Sequence, residues 1–228
     1  AQFQQFGEIA ALHGQVADQL VADRSAKLGA GRNKLASFSQ TKYGAQTGSD
    51  SQWFPDAGNG VLKSNGSNII NDPNDANTPN NSTLQAQWVQ NIVSNWGAAS
   101  AEAPRYYLLD NEPTIWYATH RDVHPQGATM VEMRDRMINY ALAIKTVDST
   151  AKVVGPEEWG WSGYFYSGYD QQWGSQHGWS NLPDRSNHGN WDYLPWLLDQ
   201  LQAADKARRD APENDKTLSP FFCSPINK

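Results

Sequence analysis

The stretch YYLLDNEPTIWY, residues 106–117, runs apolar, then acid–amide–acid, then apolar and aromatic again. Its first half has the composition of a strand buried on both faces, RYYLLDN over residues 105–111. A strand that ends in Asp110, Asn111 and Glu112 admits two readings. Either polar residues cap it, or it delivers a carboxyl group into a site. A second short buried strand, KVVG, is expected at residues 152–155. Between the two, residues 129–147 have the helical stripe Met130, Met133, Met137, Tyr140, Ala141 and Ile144, with Thr129 and Glu132 in a capping pattern. Residues 83–96 read as an earlier helix. Leu84, Trp88, Ile92 and Trp96 recur at helical spacing beside Val89 and Val93, Ser82 and Gln85 form a capping box, and Gly97 is the stop. Another helix is expected over about residues 192–208. The order helix, strand, helix, strand, long loop, helix predicts an α/β fold with a parallel sheet and crossover helices. Ligands of such folds sit at the carboxyl ends of the strands. Asp110, Asn111 and Glu112 fall there, and so do Glu157 and Glu158 in the second strand's exit.

The chain has 228 residues, enough for one sizeable core, and a formal net charge of −6. With no long basic run, nucleic acid and an anionic membrane surface are poor partners. No stretch approaches the roughly 20 apolar residues of a membrane helix. The opening AQFQQFGEIAALHG shows no signal-peptide pattern. The single cysteine, Cys223, leaves no intrachain disulfide. Ten tryptophans and nine tyrosines suit recognition of flat, neutral ligands, although any one of them can equally be a core residue. Residues 1–36 read as helix or weakly ordered chain. Residues 40–82, dense in Gly, Asn, Asp and Pro, read as a long loop region.

Glycosidic bonds are cleaved between two carboxyl groups, one protonating the leaving oxygen and the other attacking carbon or activating water. The acid needs a raised pKa from apolar or anionic surroundings. Glu112 has two leucines before it and Pro113, Ile115 and Trp116 after it. Asn111 has the donors to bind a sugar hydroxyl, and Pro113 biases Glu112 away from helical angles. The second constellation is VVGPEEWGWSGYFYSGYDQQW, residues 153–173, in which Glu157 and Glu158 precede Trp159, Trp161, Tyr164 and further rings. Such rings stack on the apolar faces of sugars, and the interspersed glycines let backbone approach a ligand. The alternative is a glycine-rich loop that packs its own aromatics. His120 and His124 in HRDVH have zinc-helix spacing, but Arg121 stands where a Glu would be needed and Pro125 follows, so a solvated or substrate-facing loop is expected. NDPNDANTPNN, residues 71–81, lacks the register of a calcium loop and predicts turns. Phosphate-loop, nucleophile-elbow and kinase signatures are absent from the sequence. No metal or other cofactor is expected.

Several blocks in order carry a resemblance: SFSQTKYGAQTGSDSQWFPDAGNG, YYLLDNEPTIWYATHRDVHP, MVEMRDRMINYALAIKTVD, KVVGPEEWGWSGYFYSGYDQQWG and NHGNWDYLPWLLDQLQ. Over about residues 27–206 the chain resembles glycoside hydrolase family 44. The resemblance implies a (β/α)8 barrel, here in part, with its central strands and helices. It implies a secreted bacterial endo-β-1,4-glucanase that also accepts xyloglucan, retaining in mechanism. It assigns Glu112 as acid/base with Asn111 beside it. Trp116, Trp159, Trp161 and Tyr164 would line subsites, and Glu157 or Glu158 would bind sugar hydroxyls or tune the acid. The partner is then a β-glucan chain. The ends, residues 1–26 and 207–228, depart from the family pattern, and no candidate appears for the nucleophile expected at the end of a seventh strand. The chain is therefore expected to be a single partial catalytic domain, its ends altered by truncation or a frame change. Glu157 or Glu158 pairing with Glu112 remains open, as do a carbohydrate-binding remnant that cuts nothing and a non-functional gene fragment.

Overall fold

The computed structural model describes residues 35–210. It is α/β, with parallel and antiparallel strand pairs packed among helices. Strand β3, Tyr106–Leu108, pairs in parallel with β4, Lys152–Val154, with Tyr107 opposite Val153. The ladder continues past the regular strands, because the Leu109 amide donates to the Val154 carbonyl at 2.9 Å. The crossover between them is helix α4, Met130–Val147, with α3, Trp116–Thr119, ahead of it. Among the described residues these two strands do not close a barrel.

Helix α4 lies between α2, Ser82–Trp96, and the last described helix, α8, Tyr193–Arg209. Its six expected stripe residues are all buried, beside Val89 and Ile92 of α2, Tyr193, Leu197 and Leu201 of α8, and Tyr107 and Val153 of the sheet. Each of the Met, Ile, Leu and Val side chains among these contributes about 1.5–3 kcal/mol by leaving water. Thr129 caps α4 as expected, accepting from the Glu132 amide at 3.1 Å. Buried Asp148 closes its far end. It takes the Ala99 amide at 2.8 Å and both Arg105 and the Tyr107 hydroxyl at 3.0 Å, which raises the Tyr107 phenol through burial and the facing carboxylate.

Three expectations need correction. Helix α2 is capped by Asn81, not Ser82, and it buries Gln85, Val89 and Ile92 while Leu84, Trp88 and Trp96 are exposed. Residues 40–82 are not one long loop: they form α1, Gln40–Tyr43, and an antiparallel pair, β1, Ser49–Asp50, with β2, Phe54–Gly58. A buried side-chain amide helps to hold this region together. Buried Gln46 donates to the Phe38 carbonyl at 2.8 Å and accepts the Gly60 amide at 2.6 Å, and any side chain at position 58 would collide with it. Asp72, whose carboxylate accepts from the Asn74 amide, caps the 3-10 turn Pro73–Asp75, so the 71–81 segment does hold turn chemistry. The long loop after β4 contains α5, Ser162–Phe165, α6, Gly168–His177, and α7, Pro183–Asn187, which weak apolar periodicity hid. Of residues 1–36, expected as helix or weakly ordered chain, all but the last two lie outside the described residues, as does Cys223.

Candidate active site at the carboxyl rim of the parallel pair

Both strands of the parallel pair leave toward one rim, and their exits meet there. The Glu112 amide donates to the Glu157 carbonyl at 2.6 Å. Strand β3 ends because the backbone turns left-handed: Asp110 has φ 62°, and Glu112 has φ 53° and ψ 49°. Pro113–Ile115 then form a 3-10 turn whose Ile115 amide returns to the Glu112 carbonyl at 3.1 Å. A left-handed non-glycine residue costs roughly 1–2 kcal/mol, so its neighbours must hold it. Asn111 is exposed and Glu112 partly so, an orientation open to a ligand.

Trp116 is placed differently from its sequence expectation. It has no exposed surface, its indole N–H donates to the Asn111 carbonyl at 3.0 Å, and its ring meets His124 edge-on at 5.4 Å. It supports the Glu112 turn from beneath and presents no face to a sugar. Trp159, Trp161 and Tyr164 are 53%, 78% and 48% exposed, as a stacking surface requires. Trp161 and Tyr164, 5.9 Å apart, begin a band of rings: Trp161 lies 5.3 Å from Phe165, Phe165 6.1 Å from Tyr166, and Tyr166 5.4 Å from Trp179. Trp179 lies against Gly174, where a methyl group would come within 2.8 Å of its ring. The sequence reading missed Trp179 because it stands alone after a glycine, outside any motif.

The two adjacent glutamates part company. Glu157 meets the Glu112 turn through its carbonyl. Glu158 turns inward, where it accepts from the buried Thr114 hydroxyl at 2.9 Å and faces the buried Tyr193 hydroxyl without completing a hydrogen bond to it. Burial pushes its carboxyl up to about 7, against the opposing pull of Tyr193, Thr114 and the Trp159 amide. Thr114 and Tyr193 were not singled out from sequence, since a lone Thr and a helical Tyr carry no motif.

The HRDVH segment is a structural hub. Arg121 donates to the carbonyls of Asn59 at 3.1 Å and Gly60 at 3.0 Å and stacks over Phe38. Asp122 accepts from Ser37 at 2.6 Å. These contacts fasten the first hairpin to the Glu112 loop. His124 lies between the Gln126 carbonyl and Glu132. Burial holds the His120 imidazole below its ordinary range, with His124 adding to that and Asp122 and Glu112 opposing it. Among the described residues no cluster of His, Cys, Asp and Glu is arranged to hold a metal ion. No described helix is long and apolar enough to cross a membrane.

Residues 5–210 match the family model described as "Glycoside hydrolase family 44". A solved relative is CelM2, a bifunctional glucanase-xylanase protein from a metagenome library. The chain is 65% identical to it with a TM-score of 0.74, over 78% of this chain and 34% of that one. Two curated relatives are Endoglucanase A of Paenibacillus lautus, 32% identical over 50% of this chain, and Beta-mannanase/endoglucanase A of Caldicellulosiruptor saccharolyticus, 29% identical over 52% of it. The chain spans only 15% and 8% of those two relatives' lengths.

Proposed function

The chain belongs to glycoside hydrolase family 44, and from that premise we propose that it forms the acid/base portion of a retaining β-1,4-glucan hydrolase, with xyloglucan among its substrates. The observation that carries this reading is the meeting of Glu112 and Glu157 at the carboxyl rim from which Trp159 and Trp161 also depart. Glu112 protonates the leaving glycosidic oxygen, and Asn111 hydrogen-bonds a neighbouring hydroxyl. Trp159, Trp161 and Tyr164 stack on the apolar faces of the glucan. The parallel pair with its crossover helix is one part of a (β/α)8 barrel, a fold that takes about 250 residues.

A retaining reaction needs a second carboxylate about 5 Å from the acid. The Glu158 carboxyl is engaged by Thr114. The resemblance places the nucleophile at the end of a seventh strand, and we assign it there, outside the described strands. A secreted, extracellular location fits a polymeric substrate too large to enter a cell.

The exposed ring band favours one second reading, that the chain holds β-glucan without cutting it. Reducing-end release from carboxymethyl cellulose and xyloglucan, together with retention on a glucan affinity gel, separates the two. Release that Glu112→Gln abolishes supports the hydrolase. Retention without release supports the binding reading, and neither result leaves a chain without either function.

A further inference from the structure

We propose that Glu158 is a positioning residue for Glu112, holding through Thr114 the left-handed turn on which that carboxyl stands. The inference rests on the acid/base reading of Glu112. A non-glycine residue at φ 53° keeps that conformation only when its surroundings over-determine it. One short loop supplies the restraint on both sides of the turn. The Glu157 carbonyl takes the Glu112 amide at 2.6 Å, and the Glu158 carboxyl takes the Thr114 hydroxyl at 2.9 Å. Thr114 is buried at the centre of the 3-10 turn, whose Ile115 amide closes back on the Glu112 carbonyl.

The packing around this grip leaves little slack. A methyl group at Gly163 would come within 3.0 Å of the Glu158 Cβ and 3.2 Å of the Thr114 Oγ1, so the absence of a side chain at 163 allows the two to meet. From the other side Tyr193 of α8, fully buried, faces the Glu158 carboxyl, and Asp184 of α7 acts on Tyr193 in turn. Glu158 is thereby fixed between helix α8 and the turn.

Amide hydrogen exchange on the full chain, read by NMR, tests this. Thr114→Val keeps the shape and removes the donor, and Thr114→Ser restores the donor. The valine variant should speed exchange of the Glu112 amide about tenfold, the loss of one buried hydrogen bond's worth of restraint. The serine variant should return it to the wild-type rate. The Leu109 amide, bonded to Val154 in the adjoining ladder, should not change. An unchanged Glu112 rate in Thr114→Val overturns the proposal, and so does equal acceleration of Leu109, which would mean general loosening. If the wild-type chain releases sugar, Thr114→Val should lower kcat at nearly constant KM, because orientation of the acid counts in the transition state. If the wild type releases none, the acid/base reading gains no support from this chain, while the exchange rates still decide whether Glu158 holds the turn.

Discussion

Replacing Glu158 by Gln should make the protein's stability less dependent on pH. Burial raises the folded-state carboxyl from 4.5 to about 7. The Glu158 Oε1 atom has no exposed surface, so solvent does little to screen the effect. The sign follows from linkage. The folded state binds the proton more tightly than the unfolded chain, so the contribution of Glu158 is fully present below pH 4.5. It is lost as pH rises through about 7. A rise of this size is worth about 3 kcal/mol at 1.36 kcal/mol per pH unit. Gln keeps an oxygen that accepts from Thr114 and carries no titrating proton. Urea unfolding of both proteins from pH 4 to pH 9 measures the difference. The stability of wild type minus that of Glu158→Gln should fall by about 3 kcal/mol across this range. Taking the difference cancels shared contributions such as that of His120, whose lowered pKa acts in the opposite direction. A difference that stays flat, or that grows with pH, would refute the inward, desolvated placement of Glu158.

Further outcomes follow from the same contacts. Trp116→Ala should cost about 3–5 kcal/mol in urea unfolding, because it empties a fully buried site. Trp161→Ala should leave stability within about 0.5 kcal/mol of wild type and weaken retention on a glucan gel, since that ring is exposed. Asp148→Ala should cost about 3 kcal/mol by stranding Arg105, the Tyr107 hydroxyl and the Ala99 amide, with glucan retention intact in the folded fraction.

The parts of the fold that were legible in the sequence are those where local pattern and tertiary burial coincide. In α4 each Met, Tyr and Ile of the stripe is buried, because a helix packed on two sides and on a sheet needs the face its periodicity offers. In α2 the helix was legible and its face was not. Trp88 and Trp96 look like core residues, yet the neighbour that α2 packs against meets Val89 and Ile92. The rim was legible because strand ends announce themselves by a change from apolar to acidic residues. The direction of each side chain beyond that end was not. Past the last ladder residue, strand alternation no longer sets orientation, so nothing local distinguishes Glu157 from Glu158. What turns Glu158 inward is Thr114 on the other strand's exit and Tyr193 from a helix far along the chain. Likewise nothing local shows that the Trp116 indole would find the Asn111 carbonyl and sink beneath the turn it follows.

The most direct test of Glu112 as proton donor is the dependence of cleavage on the leaving group. Aryl β-cellobiosides span aglycones that depart readily without help and ones that need a proton. Glu112→Gln should cleave a substrate with a highly acidic phenol at close to the wild-type bond-breaking rate, and should lose activity progressively as the phenol becomes less acidic. An equal loss on every substrate, or no loss on any, would contradict the assignment of the proton to Glu112.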